Sequence, residues 1–449
     1  MEAPAPDWSG LPADILTTVL QLLECPDLLR SASVCTAWHK AVSVLRRIGV
    51  CPASQTPYLL YCTEAAGRSA LGMYSLSERK AYTMPLPEPP INNWIGSTHG
   101  WIVTMDKRSD LTLLNPITGD RIALPPATTM EHVKPILNDG GVLEKYEVSY
   151  YDGELPRVED TPYVSDLDEY GDFFYTKAIL SSDPSKGECI VMLIHQPYAQ
   201  LSFTKVGDVH WNWLKICNFY ADCISHDGWF YAMTPQGAID AFNLNGPSVI
   251  HERVLPDMFL FGERSYIVKA PWGDVLQVDR KQILDHEQPG GETYITKIEV
   301  YKVDFVEQKR VKMKGIGDHA LFIGKSTTSC FSVKHHPDLM PNHVYFTDDH
   351  DDELVTGKDD LRDIGVYNLE TDTTCKVVYP EPWRTWFPPI WLTPNLAKRG
   401  TVSTSLQYIY SQMLLVVYSI FNSNHSLISF FSAYVHNKRN ALRIICVSA

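Results

Sequence analysis

Residues 8–47 place apolar side chains at helical spacing and predict three short amphipathic helices. Pro12 and Asp14 suit the first turn of the first helix, since a proline there loses no hydrogen bond and a carboxylate meets the positive end of the helix dipole. Pro26 is expected to break this helix, and Asp27 to cap the second. The apolar positions are Ile15, Leu16, Val19, Leu20, Leu23, Val34, Cys35, Trp38, Ala41, Val42 and Leu45.

These apolar positions exceed what the segment can bury alone. About 40 residues is near the lower limit for an independent core, so another surface must cover part of them. Two interpretations stay open from the pattern: the helices pack on the chain from residue 58 onward, or a partner protein covers them.

From Tyr58 to Asn395 the pattern changes to short β-branched and aromatic runs separated by Gly, Pro, Asn and Asp, which predicts an all-β domain. Two segments match in register, because Trp101 and Trp229 each follow a glycine and precede an asparagine by 14 residues. Each segment predicts a hairpin: an aromatic strand, a polar turn and a returning strand. Weaker copies of the returning strand occur at Tyr74-Ser75-Leu76, Tyr301-Lys302-Val303 and Tyr367-Asn368-Leu369, with room for another copy around Phe173 to Phe203.

These copies define about six units of roughly 50 to 60 residues, a period typical of propeller blades. We therefore expect an all-β propeller of about six blades. A pair of all-β sandwich domains is the alternative, and the unequal spacing of the copies leaves the blade count open.

Composition narrows the classes of partner. The chain has 449 residues, 39 basic and 53 acidic side chains, and a net charge of −14, with a mean hydropathy of −0.15. These values are typical of a soluble globular protein and argue against nucleic acid or an anionic membrane as the partner. The acidic stretches Asp166 to Asp172 and Asp348 to Glu353 lack the spacing of a calcium loop and are predicted to be solvated loops.

No segment predicts a metal, a cofactor or a catalytic residue. The ten cysteines are scattered, without a Cys-x-x-Cys pair or a secretory signal, which indicates buried, reduced thiols in a nuclear or cytoplasmic protein that is not secreted. His335, His336 and His343 lie near Cys330 at spacings that fit no standard zinc site. Phe322 to Thr327 is similar to a phosphate loop, but His319 stands where that loop needs its first glycine, so a strand is predicted instead.

The composition changes after Leu396. Residues 397–449 contain five basic side chains and no acidic one. Two apolar runs, Met413 to Phe421 and Leu427 to Val435, are separated by polar residues, whereas a transmembrane helix needs about 20 apolar residues in a row. We expect residues 396–449 to be an alternative or mis-spliced end outside the propeller, disordered or loosely packed, and we do not expect a membrane partner.

Residues 8–47 resemble an F-box. The resemblance lies in Leu11-Pro12, Asp14-Ile15-Leu16, Val19-Leu20, Leu23, Asp27-Leu28-Leu29-Arg30 and Ser33 to Trp38. It implies docking on a Skp-type adaptor and, through it, on a cullin. The residues implied for adaptor docking are Leu11, Pro12, Ile15, Leu16, Val19, Leu20, Leu23, Leu28, Leu29, Val34 and Trp38.

The remainder resembles the KIB-type β-propeller of plant F-box proteins, formerly a domain of unknown function. The resemblance lies in His99-Gly100-Trp101, Leu114-Asn115-Pro116, Gly317 to Gly324, Pro341 to Asp349 and Pro388 to Trp391. It implies an F-box at 8–47 and a propeller at 58–395.

Three functions follow, from different classes. The first is a non-catalytic substrate receptor of an SCF-type ubiquitin ligase, whose propeller binds an unknown target protein. The second is an interaction or inhibitor module that holds a partner, such as a kinase, without ubiquitination. The third is an enzyme with a pocket in the propeller, which convergent ionisable side chains in a central channel would favour.

Overall fold

The computed structural model describes residues 10–48, 55–62, 70–86, 91, 93–149, 162–216, 218–257, 264–285, 293–347, 364–378 and 388–397. The chain divides into two compact units, one formed by the residues up to Gln55 and from Pro394, the other by Thr56–Thr393. The acidic stretch Asp348 to Glu353 and the tail beyond Ala397 lie outside the described residues.

The first unit contains the three predicted helices, α1 (Ala13–Leu20), α2 (Cys25–Ser31) and α3 (Thr36–Ile48). Two details of the prediction are wrong. Pro26 lies in the first turn of α2 rather than at the end of α1, and Asp27 lies inside α2, whose N-cap is Glu24. A proline is tolerated there because the N–H groups of a first turn have no helical partner. The first helix has already ended, with the Gln21 N–H bonded to the Thr17 carbonyl.

The second unit is built almost entirely of strands. In chain order they are β1 (Tyr58–Tyr61), β2 (Ala70–Ser75), β3 (Lys80–Pro85), β4 (Asn93–Thr98), β5 (Trp101–Met105), β6 (Leu111–Leu114), β7 (Arg121–Ala123), β8 (Val133–Leu137), β9 (Leu143–Val148), β10 (Tyr163–Asp166), then helix α4 (Leu167–Phe174), β11 (Tyr175–Leu180), β12 (Ile190–His195), β13 (Gln200–Lys205), β14 (Asn212–Leu214), β15 (Asp222–His226), β16 (Trp229–Met233), β17 (Ile239–Asn243), β18 (Ile250–Leu255), β19 (Arg264–Lys269), β20 (Val275–Asp285), β21 (Thr293–Asp304), β22 (Lys309–Lys312), β23 (His319–Ile323), β24 (Ser329–Ser332), β25 (His343–Phe346), β26 (Gly365–Asn368), β27 (Thr373–Cys375) and β28 (Ile390–Leu392). The prediction of a small helical region followed by an all-β domain is confirmed.

Among the described strands, six sheets of four or five strands follow one another along the chain. Their strand orders are β28-β1-β2-β3, β4-β5-β6-β7, β11-β12-β13-β14, β15-β16-β17-β18, β19-β20-β21-β22 and β24-β23-β25-β26-β27. The last strand, β28, pairs antiparallel with the first, β1. The leading strands of successive sheets lie side by side, β28 by β4, β4 by β11, β11 by β15, β15 by β19 and β19 by β24.

The two matched segments form the predicted hairpins. The strands β5 and β6 pair antiparallel after Trp101, and β16 and β17 pair antiparallel after Trp229. The weaker copies lie on β2, β21 and β26, and the copy expected around Phe173 to Phe203 is β11–β13. These predictions are confirmed.

A three-stranded sheet and a helix were not predicted. The sheet has the order β10-β9-β8 and is called the insert sheet below. Asp166 to Asp172, predicted to be a solvated loop, instead ends β10 and forms most of α4. The helix forms because Tyr170 and Phe174, one turn apart, are both buried in a core cluster of the second unit with Tyr146 and Tyr175.

The stretch that is similar to a phosphate loop begins as the predicted strand. Phe322 and Ile323 end β23, and the chain then turns at Gly324, whose φ is +140°. A Cβ at Gly324 would lie 2.0 Å from the Thr347 hydroxyl oxygen, so only glycine fits. The following residues form the loop between the paired strands β23 and β24, where the Ser326 hydroxyl donates to the Trp391 carbonyl and the Thr328 hydroxyl donates to the Asp222 carboxylate.

Candidate adaptor-docking surface

Helix α1 carries two parallel apolar stripes that differ in exposure. Leu16 and Leu20, one turn apart, are buried. Beside them Leu11 and Val19 are half-buried, while Ile15 between them is 42% exposed. Because i and i+4 side chains share a helix face, Ile15 and Val19 form one stripe, and Leu11 precedes the N-cap residue Pro12. The inner stripe holds the helix to its unit, and the outer stripe faces away.

The three helices pack into one unit, since α1 and α2 both contact α3. Helix α2 is held locally by an Arg30–Asp27 ion pair of 3.1 Å and by the Ser31 hydroxyl, which donates to the Asp27 carbonyl at 2.7 Å. Trp38, Val42 and Leu45 of α3 are buried. The unit therefore has a small core of its own chain, as expected for about 40 residues.

The eleven residues predicted for docking divide into three groups in the described structure. Four are buried (Leu16, Leu20, Leu28 and Trp38), four are half-buried (Leu11, Val19, Leu23 and Leu29) and three are exposed (Pro12, Ile15 and Val34). The sequence could not separate these groups, because both stripes of α1 have the same residue types. Their role in docking stays a prediction.

One exposed apolar residue was missed. Leu22 is 46% exposed and lies seven residues after Ile15, two turns along the same face. The Leu22 N–H bonds the Val19 carbonyl, so the helical turn continues past the end of α1. The i+7 spacing in the sequence was the signal that could have identified it.

The second unit brings one pair of ionisable side chains together where four sheets meet. The Lys177 Nζ lies 2.7 Å from an Asp222 carboxylate oxygen and also donates to the Gly324 carbonyl at 3.2 Å. The other Asp222 oxygen accepts from the Ile267 N–H at 3.0 Å and from the Thr328 hydroxyl at 3.1 Å. Both charged side chains are enclosed and matched, so the arrangement acts as a tie between sheets.

The described thiols and histidines do not form a reactive centre. The described cysteines are thiols rather than disulfides, and burial raises the pKa of Cys62 and of Cys330 to about 12. Such thiols are poor nucleophiles because the thiolate is the reactive form.

Within the part of the chain that the structure describes, no group of His, Cys, Asp and Glu side chains could hold a metal. None of the described helices has the length and apolar character needed to cross a bilayer.

Comparison with known families identifies the class of protein. An F-box-like family model matches residues 8–47, and a family model described as KIB1-4 beta-propeller matches residues 73–368. The second match covers well over half of the chain. The chain therefore belongs to the KIB1-4 beta-propeller family and carries an F-box in front of the propeller, and both resemblances seen in the sequence are confirmed.

Individual relatives agree with this assignment. The chain is 23% identical to F-box only protein 7 of Arabidopsis thaliana over 71% of this chain and 78% of that protein. It is 32% identical to F-box/kelch-repeat protein At1g57790 of the same plant over 26% of this chain, and that match spans only 32% of the relative. Among solved structures, a quinonprotein alcohol dehydrogenase-like protein from Bacteroides thetaiotaomicron covers 71% of this chain and 76% of its own at 10% identity. Its TM-score of 0.29 is too low to support an argument.

Proposed function

We propose that this chain is the substrate receptor of an SCF-type cullin ubiquitin ligase. The F-box docks on a Skp-type adaptor, and the propeller binds a target protein through its surface. The receptor contributes no catalytic group. It raises the effective concentration of a target lysine near a conjugating enzyme that the complex also holds.

One observation carries the proposal: a compact helical unit, matched by the F-box-like model, leaves an apolar stripe outside its own core. The seven exposed or half-buried members of the predicted set and Leu22 contribute to this outer surface. Exposed apolar patches on a small unit mark interaction sites. We assign docking contacts to these side chains, and we assign Leu16, Leu20, Leu28 and Trp38 to holding the helices together.

The propeller is proposed to have six blades. Support comes from the six sheets of four or five strands, from the neighbouring leading strands, and from the pairing of β28 with β1, which joins the two ends of the unit. A propeller closed in this way leaves no long open edge between its first and last sheets. The insert sheet is then an addition between the second and third blades.

The proposed domains are the F-box at 8–47, the propeller at 58–395 and the tail at 396–449. The family matches and the two compact units support the first two. Docking on a cullin complex also implies that the chain works in the nucleus or cytoplasm.

The adaptor contact is tested with Ile15→Asp in the full chain, co-expressed with a tagged Skp-type adaptor. A charge on the outer stripe is expected to weaken adaptor binding by at least about 30-fold, because a buried unpaired charge at an interface costs about 2 kcal/mol or more. The thermal unfolding temperature is expected to stay within about 2 °C, since Ile15 is exposed.

Val306→Asp is the matched control. Val306 is 90% exposed in the second unit, so the same charge is added to the surface without touching the F-box. Adaptor binding by Ile15→Asp within twofold of the unchanged chain would contradict the docking role. Cullin recovered with the unchanged chain, and lost with Ile15→Asp, would distinguish a ligase receptor from a module that acts without ubiquitination.

A further inference from the structure

Three exposed aromatic side chains lie on neighbouring loops of the second unit, and we call them the aromatic surface. They are Phe173, 59% exposed at the end of α4, Tyr198, 41% exposed in the turn between β12 and β13, and Phe219, 50% exposed just before β15. The Tyr198 and Phe219 rings meet edge to face with centroids 5.4 Å apart. The turn after β12 and the connection into β15 leave the same end of the sheets, because the strands between them alternate in direction.

Hydrogen bonds hold the three loops together. The Gln196 N–H donates to the Phe174 carbonyl at 2.7 Å, which joins the Tyr198 turn to the end of α4. The Tyr220 N–H donates to the Ala199 carbonyl at 3.0 Å, which joins the same turn to the Phe219 segment. The aromatic surface is therefore carried by one connected set of backbones.

The helix beneath Phe173 is fixed to the propeller. A Cβ on Gly171 would lie 1.9 Å from the Met105 sulfur, so α4 sits directly on the turn between β5 and β6. The Ser109 hydroxyl of that turn donates to the Leu167 carbonyl at 2.6 Å, and the Tyr175 hydroxyl donates to the Ser109 carbonyl at 2.9 Å. The Phe174 ring stacks on His195 at 4.9 Å. Phe173 thus points outward from a rigid support while its neighbour is buried.

The turn that contains Tyr198 has unfavourable backbone φ angles. Tyr198 and Ala199 have φ values of +68° and +45°, a region where non-glycine residues are uncommon. They are the last two residues of the four-residue turn from Gln196 to Ala199 that joins β12 to β13. A large aromatic side chain at such a position is held outward at a cost in stability, and such strain concentrates at functional sites.

The charge beside the aromatic surface is mainly negative. The described residues 131–149 and 162–174, which include the insert sheet and α4, contain eight acidic and two basic side chains, a net charge of −6 in a chain whose net charge is −14. Both basic groups are paired, Lys134 with Glu147 at 3.2 Å and Lys145 with Asp166 at 2.8 Å. Glu144 and Glu169 are exposed. A negative surface beside aromatic faces attracts cationic side chains by Coulomb and cation–π interactions.

We propose that the aromatic surface and the adjoining acidic insert form the target-docking face of the propeller, and that its partner is a lysine- or arginine-rich segment of another protein that also carries aromatic or aliphatic side chains. The aromatic rings provide the anchors, and the acidic insert provides the attraction and the selection against acidic segments. This inference rests on the proposed receptor function and specifies the chemistry of its target.

The test uses the full chain and a library of phage-displayed random 12-residue peptides. Enriched peptides are expected to carry net positive charge and at least one aromatic or large aliphatic residue. Enriched peptides are then synthesised and their binding is measured by fluorescence anisotropy. Raising NaCl from 0.05 to 0.3 M is expected to weaken binding several-fold, because the charges are exposed to solvent.

Three variants separate the two contributions. The triple change Phe173→Ala, Tyr198→Ala and Phe219→Ala is expected to weaken peptide binding by at least about tenfold, as for the loss of aromatic anchors. The double change Glu144→Gln and Glu169→Gln is expected to weaken it about threefold and to reduce its salt dependence. Trp272→Ala, which removes an exposed aromatic between β19 and β20, is the matched control and is expected to leave binding unchanged.

Each other outcome overturns the inference. These outcomes are no enrichment above background, enrichment of neutral or acidic peptides, or basic peptides that bind the triple variant as well as the unchanged chain. Thermal unfolding of each variant verifies that the fold is retained. Adaptor binding is measured on the same preparations, so a failed receptor role (no adaptor binding by the unchanged chain) is distinguished from a wrong docking face (adaptor bound, peptide binding insensitive to the triple change).

Discussion

The helical unit and the β unit use similar apolar residues in opposite ways. In α1, Leu16 and Leu20 are buried while Ile15 between them is exposed. In β12, every residue from Ile190 to His195 is buried. A short helix can bury one side against two neighbours, whereas a strand inside a sheet that is covered on both faces buries both sets of side chains. The helical unit therefore leaves apolar surface exposed, whereas the strands of the β unit bury theirs.

The two units also differ in the solvent exposure of their ion pairs. The Arg30–Asp27 pair of α2 is largely open to solvent on the arginine side, whereas Lys177 and Asp222 are enclosed and fully matched. An exposed pair contributes little to stability, and breaking an enclosed pair is costly. The comparison predicts where substitutions unfold the chain and where they change only binding.

The largest expected effect comes from breaking the enclosed pair. Lys177→Met leaves the Asp222 charge without its cation and is expected to lower the free energy of unfolding by about 3 to 5 kcal/mol. Urea unfolding followed by tryptophan fluorescence measures the change. Lys145→Met, which removes the cation of the exposed Lys145–Asp166 pair, is the control and is expected to cost less than about 1 kcal/mol. Equal costs for the two variants would show that the enclosed pair is not a tie between sheets.

The next effect distinguishes the two apolar stripes of α1. Leu20→Ala removes a buried side chain and is expected to destabilise the helical unit by about 2 to 5 kcal/mol. Leu22→Ala removes an exposed one and is expected to change stability by less than about 0.5 kcal/mol while weakening adaptor binding. Amide hydrogen exchange of α1, read by mass spectrometry, measures the local stability. Faster exchange in Leu22→Ala than in Leu20→Ala would reverse the assignment of the stripes.

The β unit is expected to lose stability in acid through two stacked histidines. The His132 and His195 rings lie 4.8 Å apart, and the His195 Nε2 bonds the Ser202 hydroxyl at 2.8 Å. Burial lowers the pKa of His132 to about 2 and that of His195 to about 4. Below a pH of about 6.5 the unfolded chain binds protons that the folded chain excludes, so stability is present above this pH and is lost as the pH falls.

His132→Phe keeps the stacking and removes one titrating group. The free energy of unfolding falls between pH 7 and pH 5, and His132→Phe is expected to make this loss smaller by about 2 kcal/mol. Urea unfolding at the two pH values measures the difference, with His210→Asn, an exposed site, as the control. An unchanged pH dependence in His132→Phe would mean that His132 is protonated in the folded chain.

The smallest expected effect is a gain in stability. Ala199→Gly relieves a φ of +45° in the Tyr198 turn and is expected to raise the free energy of unfolding by about 0.5 to 1 kcal/mol. Ala232→Gly in the buried middle of β16 is the matched control and is expected to lower stability. A loss in Ala199→Gly, measured by thermal unfolding, would contradict the strain assigned to this turn.

The sequence predicted those elements whose local pattern agrees with their final surroundings. The hairpins after Trp101 and Trp229 were predictable because an aromatic strand, a polar turn and a returning strand are close in the chain. The helix over Leu167–Phe174 was not, because five of its eight neighbouring positions from Asp166 to Phe173 are acidic or glycine. The two buried aromatic residues of this helix, Tyr170 and Phe174, gain most of their stabilisation by packing on strands that are distant in the sequence.

The residues predicted for docking show the same limit. The residue types at positions 11–38 identified the F-box-like unit. They could not tell that Leu20 is enclosed while Leu22 is exposed, since this depends on how α1 and α2 pack against α3.

Local patterning thus established three helices with surplus apolar surface, a chain of β hairpins and the membership of the family. Those features depend on residues that are close together in the sequence, so they can be recognised from the sequence alone. The enclosed Lys177–Asp222 pair, the support under Phe173 and the meeting of Tyr198 with Phe219 join residues from separate sheets and loops. Such contacts exist only after long-range packing has chosen which segments become neighbours, because burial and charge matching are properties of a place in the fold rather than of a stretch of sequence.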